Sequence, residues 1–378
     1  MKIVFDNQIF NSQKFGGISR YHSELMSGLY DIGVDYCCNL KNTSNVHAIE
    51  RNLYSKSIKN FNYCNFPLLH RLLSKANINS NFEIFNFLPE FDLFHPTYYS
   101  TEFLPYLKST PFVLTVHDMI HEKVLNNYFQ FDHGDSLNKK ILIESAKSII
   151  AVSHATKKDI IEIYPHLDPD KITVIHHGNN FYNISDDFIF LKHQHNFPFK
   201  DYILYVGNRK YYKNFFPFIK SIQHFIRKNK LKILCAGGSD FDSFELSYIK
   251  KLNLDEFIKH TPIISENHKY ELYKNALAFV FPSIIEGFGM PILEAFSANC
   301  PVILSDIPCF NEIANDAATY FNISSPESIY KAFDLVLFDK NYRLYKLYLA
   351  NKRISSFTWS NSVQLHLSLY EKIVNFPR

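Results

Sequence analysis

The chain has 378 residues, 46% of them hydrophobic and 20% charged, with a formal net charge of +3. That length suits two domains better than one core, and the charge is too mild to argue for nucleic acid. No apolar run approaches the roughly 18 residues a membrane span needs. The six cysteines (Cys37, Cys38, Cys64, Cys235, Cys300, Cys309) show no Cys-x-x-Cys spacing, so they read as free buried thiols of a reducing compartment.

Taken in chain order, Met1 to Asn7 reads as a first strand and not as a signal peptide, which makes a cytoplasmic protein the expectation. Strand-like runs follow at Ile3–Phe5, Phe91–His95, Phe112–Val116, Ser148–Val152 and Ile172–Ile175, alternating with amphipathic stretches. A polar, irregular segment from about Asp186 to Phe199 reads as a connection. The pattern then restarts with Tyr202–Val206, Lys232–Ala236, Ala278–Phe281 and Val302–Leu304. Alternation of this kind predicts an α/β chain of two Rossmann-like halves, each a parallel sheet covered by helices. The last helix, from Trp359, carries the only tryptophan.

Most informative is Pro282-Ser283-Ile284-Ile285-Glu286-Gly287-Phe288-Gly289-Met290-Pro291-Ile292-Leu293-Glu294-Ala295. An apolar strand ends at Pro282, two glycines allow a tight turn, and Pro291 suits the start of a helix. Free N–H groups at such a helix start favour an anion. Glu286 precedes the helix and Glu294 lies on its first turn or just beyond, so both can face one ligand. Accepting sugar hydroxyls is a better use of two acids beside a phosphate site than binding the phosphate. Earlier, Arg209 ends a strand and Lys213-Asn214 opens a helix, with Asn214 as its N-cap. A forked guanidinium and a point ammonium at the carboxyl edge of a sheet suit a diphosphate; Lys210 could substitute for either. His117 and Asp118 end another strand, where Asp118 could orient the ring or cap the next segment.

These residues resemble the Glu-x₇-Glu signature of retaining, nucleotide-sugar-dependent glycosyltransferases of the GT-B fold, family 4 type. The resemblance runs from Gly16 to Trp359. It is strongest over Ala276–Asp306 and Gly207–Asn214 and weakest between Asn42 and Glu90. It implies an N-terminal acceptor-binding domain (1–190) and a C-terminal nucleotide-sugar-binding domain (200–358), both Rossmann-like and facing a central cleft. A terminal helix (359–378) would cross back to the N-terminal domain.

The resemblance also implies roles. Arg209 and Lys213 would hold the donor diphosphate, with Gly17 of the Gly16-Gly17 loop and the helix start at Met290–Pro291. Phe288 and Gly289 would address the donor sugar through their backbone, with Glu286. Glu294 would bind the ribose, and His117 would contact the sugar from the other domain. His117 and Glu286 are thus the catalytic candidates, Glu286 as nucleophile or as charge stabiliser. No metal and no cofactor are expected. The donor is a nucleoside diphosphate sugar, with mannose from GDP-mannose as the named candidate. The acceptor would be a glycan or a polyprenyl-diphosphate-linked glycan in bacterial surface-polysaccharide (O-antigen, lipopolysaccharide) synthesis. A loop near Pro262–Ile263 is the candidate for base selection.

Other readings compete with this one. A metal-dependent GT-A transferase needs Asp-x-Asp, which Asp240-Phe241-Asp242 and Asp168-Pro169-Asp170 supply in spacing. A nicotinamide oxidoreductase lacks its Gly-x-Gly-x-x-Gly after the first strand. A catalytically silent scaffold in a polysaccharide assembly complex would not need both glutamates and both cations. His176-His177 has no third ligand at metal spacing. Between Arg51 and Ser80, Arg51, Lys56, Lys59, Arg71 and Lys75 stand beside Phe61, Phe66, Leu68, Leu69, Leu72 and Leu73 with no acid. This pattern fits peripheral docking on the inner face of the cytoplasmic membrane, and equally a solvated helix with its core face.

Overall fold

The computed structural model describes residues 1–40, 43–60, 91–124, 133–179, 181, 197–209 and 211–375. The chain divides into two compact units, Met1–Gly178 with Thr358–Arg378, and Asn179–Phe357. The division falls earlier than the expected boundary at 190, and the expected connection lies outside the described residues from 186 to 196.

In the first unit, β1 (Lys2–Phe5) lies between β2 (Asp35–Cys38) and β3 (Leu93–His95), all parallel. A second parallel set orders β4 (Val113–Val116), β5 (Ser148–Ala151) and β6 (Ile172–Val174). One parallel bridge, Phe94 to Phe112, joins the two sets. Alternate residues of these strands enter opposite cores, as a pleated strand requires. Ile3, Phe5, Val113 and Ile150 face one cluster, whereas Val4, Leu114 and Ile149 face the other. Both faces being covered explains why the strands read as continuous apolar runs.

The terminal helix Trp359–Asn375 buries Ser362, Val363, His366, Leu369, Tyr370 and Ile373, a stripe of helical period. It packs in the first unit beside Tyr21, Leu25 and Leu29 of the helix Gly17–Asp31. Its entry is tight: a Cβ on Gly178 would stand 2.3 Å from the backbone nitrogen of Trp359.

The second unit is a single parallel sheet ordered β12-β11-β10-β7-β8-β9. Its strands are β7 (Ile203–Val206), β8 (Ile233–Ala236), β9 (Ile258–Thr261), β10 (Ala278–Phe281), β11 (Val302–Ser305) and β12 (Thr319–Phe321). The order reverses between β7 and β10, and open α/β sheets bind ligands beyond the carboxyl ends of strands at such a reversal. Cys37, Cys38, Cys235, Cys300 and Cys309 are buried thiols outside any disulfide, as expected, while Cys64 lies outside the described residues.

Candidate active site

In the second unit, Arg209 and Lys213 follow β7, and the segment Pro282–Gly289 follows β10, so the topology brings them to the reversal point. The two loops are tied together, Ile284 N–H donating to the Tyr212 carbonyl at 2.8 Å. Lys213 Nζ donates to Glu286 Oε1 at 2.6 Å, and Ser283 Oγ donates to the same oxygen at 2.7 Å. The hydrogen bonds to Glu286 from Lys213 and Ser283 both go to one carboxylate oxygen. Lys213 also stands 5.0 Å from the ring centre of Phe281. Asn214 does occupy the N-cap position, with a left-handed φ of 55°, but its side chain makes no cap hydrogen bond. The chain turns there by backbone conformation alone.

Gly289 is the N-cap of the helix Met290–Ser297 with φ 95°, a region that favours glycine. A side chain there would also press on Ile292 and Phe310. Pro291 is the second helical residue, one later than expected. The Phe288 side chain is buried against Phe357, and its carbonyl accepts the Cys309 thiol at 3.1 Å.

Arg209 is held on three sides. Its Nε donates to Glu245 Oε1 at 2.9 Å and its Nη2 to Glu245 Oε2 at 3.0 Å. Nη2 also donates to the Ser239 carbonyl at 2.7 Å, and the guanidinium lies 4.6 Å above Phe241. The buried Nη1 has no hydrogen-bond partner among the described residues. Leaving such donors unmet costs on the order of 1–3 kcal/mol. Lys210 lies outside the described residues.

Glu294 is buried, and it meets Lys269 Nζ at 2.7 Å and the Tyr273 hydroxyl at 3.0 Å. Lys269 also reaches Glu266 at 3.1 Å. Arg209, Lys213, Glu286 and Glu294 thus each have an opposite charge in contact. Glu245 and Lys269, the partners of Arg209 and Glu294, were not singled out. The spacing Asp242-x-x-Glu245, a capping box, is a signal for the first; the buried face of an amphipathic helix hid the second. The Pro262–Ile263 loop follows the edge strand β9.

The Asp-x-Asp candidates serve local structure. Asp242 forms the capping box of the helix Ser243–Lys251 with Glu245. Asp240 pairs with His260 at 2.8 Å, and Asp168 caps the turn Pro169–Lys171. Among the described residues, no three His, Cys, Asp or Glu side chains are placed to share a metal.

In the first unit, the carboxyl edge of the sheet gathers imidazoles. His117 follows β4, His95 ends β3, and His177 follows β6. The ring of Tyr21 lies 5.1 Å from that of His117, 4.8 Å from His177 and 4.8 Å from His22. His117 stacks on His177 at 6.2 Å. Burial lowers the His117 imidazole to a pKa of about 4 and holds His22 well below its ordinary value. His117 Nε2 and both ring nitrogens of His22 are buried without hydrogen-bond partners among the described residues. His22 and His95 carried no sequence signal of their own.

Asp118 caps the following segment through the Ile120 N–H at 3.0 Å. Ser153 likewise caps the helix His154–Ile163. Gly17 opens the helix Gly17–Asp31. Arg51 and Lys56 are paired with Glu24 and Asp31, which weakens the cationic face expected there. The rest of that stretch, from 61 onward, lies outside the described residues, as does the Lys59 side chain. No helix of the described residues is long and apolar enough to cross a membrane.

Two parallel-sheet α/β units, each with its polar side chains gathered at the carboxyl edge, define the GT-B class. The model of Glycosyltransferase Family 4 matches residues 15–180, and that of Glycosyl transferases group 1 matches residues 187–349. The chain belongs to the family 4 glycosyltransferases. It is similar to the O-antigen chain mannosyltransferase RfbU of Salmonella typhimurium, 33% identical over 57% of this chain and 58% of the relative. The matched stretch is thus less than two thirds of that relative's length. In fold it is similar to sucrose-phosphate synthase from Thermosynechococcus elongatus (17% identity, TM-score 0.69, 99% of each chain). It is also similar to Anabaena HepE in complex with UDP and glucose (16% identity, TM-score 0.69, 100% of each chain).

Proposed function

We propose that the protein is a retaining hexosyltransferase. It moves mannose from a nucleoside diphosphate sugar to the hydroxyl of a glycan or polyprenyl-diphosphate-linked acceptor in bacterial O-antigen synthesis. The observation that carries this reading is the convergence of Arg209, Lys213, Glu286 and the Met290 helix start at the strand-order reversal of the second unit. Departure of a diphosphate while positive charge develops at the anomeric carbon calls for fixed donors at the leaving group. Lys213, Arg209 and the helix N-terminus supply them without a metal ion or cofactor. Glu286, oriented by Lys213 and Ser283, addresses the sugar. Glu294 takes the ribose hydroxyls, and His117 is a sugar contact.

The similarity to RfbU supports mannose and the O-antigen setting, and the HepE complex with UDP and glucose supports a nucleotide-sugar donor. The test is incubation with GDP-mannose, UDP-glucose and other nucleotide sugars, with undecaprenyl-diphosphate-linked saccharides as acceptors. Release of nucleoside diphosphate coupled to a product that keeps the donor's anomeric configuration by proton NMR is expected. A product of inverted configuration rejects retention, and the absence of both transfer and donor hydrolysis favours the silent scaffold.

A further inference from the structure

Arg209 is tightly held, and what grips it is a carboxylate outside the Glu-x₇-Glu signature. A guanidinium has five N–H donors in a rigid fork. The Nε–H and the Nη2 pair are taken up by Glu245, the Ser239 carbonyl and the more distant Asp240 carbonyl. Phe241 covers one face. Only Nη1 is left over, buried and unpartnered among the described residues.

Glu245 has a second attachment. Its Oε2 also accepts the Asp242 backbone N–H at 3.0 Å, while its own N–H donates to the Asp242 carboxylate at 2.8 Å. One carboxylate therefore closes the capping box of the Ser243–Lys251 helix and grips the arginine. The loop after β8 and the orientation of Arg209 are fixed together, before any ligand arrives.

We propose that Glu245 is a positioning residue for diphosphate recognition, setting Arg209 so that its Nη1 edge is the one presented to the donor's terminal phosphate oxygen. This rests on the reading of Arg209 as a diphosphate-binding residue. Because Glu245 offsets the charge of Arg209, the arginine acts as a directed pair of N–H donors more than as a free cation. Lysine, with no fork to be gripped on one side and present donors on the other, cannot replace it.

The test uses the full chain and measures, by calorimetry, the ratio of nucleoside monophosphate to nucleoside diphosphate dissociation constants. UDP with UMP and GDP with GMP are the probes, the pair that wild type binds being followed. Glu245→Gln and Arg209→Ala should each collapse that ratio by about tenfold or more, and Arg209→Lys should not restore it. Asp242→Ala, which breaks the same cap without removing the grip, should lower the melting temperature and leave the ratio within about twofold. Glu245→Asp gives an intermediate ratio and serves where the glutamine variant does not fold. A preserved ratio in Arg209→Ala rejects the diphosphate reading itself. A collapsed ratio in Arg209→Ala with a preserved one in folded Glu245→Gln or Glu245→Asp rejects the positioning role alone. Equal losses in Asp242→Ala and Glu245→Gln also reject it, since the helix cap would then explain both.

Discussion

The hydroxyl of Tyr21 lies 2.6 Å from Nε2 of His366, although 345 positions separate them. His366 Nδ1 faces the Ser362 carbonyl at 2.7 Å, and a carbonyl only accepts, so Nδ1 carries the proton. Burial lowers the imidazole to a pKa of about 4, so the ring is neutral and Nε2 accepts from Tyr21. Tyr21 then accepts from Thr115 at 3.0 Å, Thr115 from His95 Nε2 at 2.9 Å, and His95 Nδ1 from the Tyr370 hydroxyl at 2.7 Å. One carbonyl thereby orders five hydrogen bonds between the terminal helix, the Gly17–Asp31 helix and two strands.

Tyr21→Phe should therefore leave His366 Nε2 without a donor and Thr115 without an acceptor, both in buried surroundings. Each unmet group costs about 1–3 kcal/mol. Urea denaturation should show a loss in that range, and Tyr370→Phe, which orphans only His95 Nδ1, should lose less. Indistinguishable midpoints for Tyr21→Phe and wild type would mean that the relay does not hold the terminal helix.

The same network sets a pH dependence. His366 titrates near 6.5 when unfolded and at about 4 when folded, so the unfolded chain binds more protons between those values. Its contribution is whole above about pH 6.5 and is lost as pH falls towards 4, roughly 3 kcal/mol in all. His95, His22 and His177 are lowered by burial in the same direction. Stability measured at pH 7.5, 5.5 and 4.5 should fall, and His366→Asn should flatten the slope. A wild-type profile level across that range contradicts neutral buried histidines.

Among the described residues, nine of twelve strands were legible as apolar runs, because most of them are parallel strands buried on both faces. The three that were not, β2, β9 and β12, all lie at sheet edges, although β6, also at an edge, was legible. Ile258–Thr261 shows why: Lys259 is exposed and His260 and Thr261 are half-buried, so no continuous apolar run marks it. The motif residues were legible because a glycine turn and a proline at a helix start have few other uses. Glu245, Lys269 and His22 were not, because a charged or polar residue on a helix reads as its solvated face until the fold shows it to be buried.

Gly178 tests the seat of the terminal helix. An added Cβ would meet the backbone nitrogen and Cα of Trp359 at 2.3 and 2.6 Å, atoms that cannot rotate aside. Gly178→Ala should cost about 1–3 kcal/mol through forced displacement. A melting temperature unchanged from wild type would show that the two backbones can separate freely.

Lys269 tests the environment of Glu294. Removing the ammonium takes from the buried carboxylate the cation that contacts it at 2.7 Å. Lys269→Met should destabilise the second unit by about 3–5 kcal/mol. Lys269→Met with Glu294→Gln should recover part of that loss, since the uncompensated charge is gone. Calorimetry on the double variant should also show weakened nucleoside binding, if Glu294 holds the ribose. No recovery in the double variant would mean that the lysine acts through packing and not through its charge.

Glu286 and Lys213 make opposite predictions although they touch. If Lys213 holds the leaving diphosphate, as proposed, Lys213→Ala should lower turnover by about a hundredfold or more, some 2–4 kcal/mol of transition-state stabilisation. It should also weaken binding of the bare nucleoside diphosphate. Glu286→Gln keeps the shape of the loop and removes the charge that Lys213 contacts at 2.6 Å. The lysine is then more available to an anion, so the nucleoside diphosphate should bind equally well or up to about fivefold tighter, roughly 1 kcal/mol. Turnover should nevertheless fall if that carboxylate addresses the sugar, as proposed. The two variants thus separate binding from chemistry: weaker product binding with lower turnover in one, unchanged or tighter product binding with lower turnover in the other. Weaker diphosphate binding in Glu286→Gln would place that carboxylate in the structure of the phosphate site, and full turnover in the same variant would remove it from the reaction.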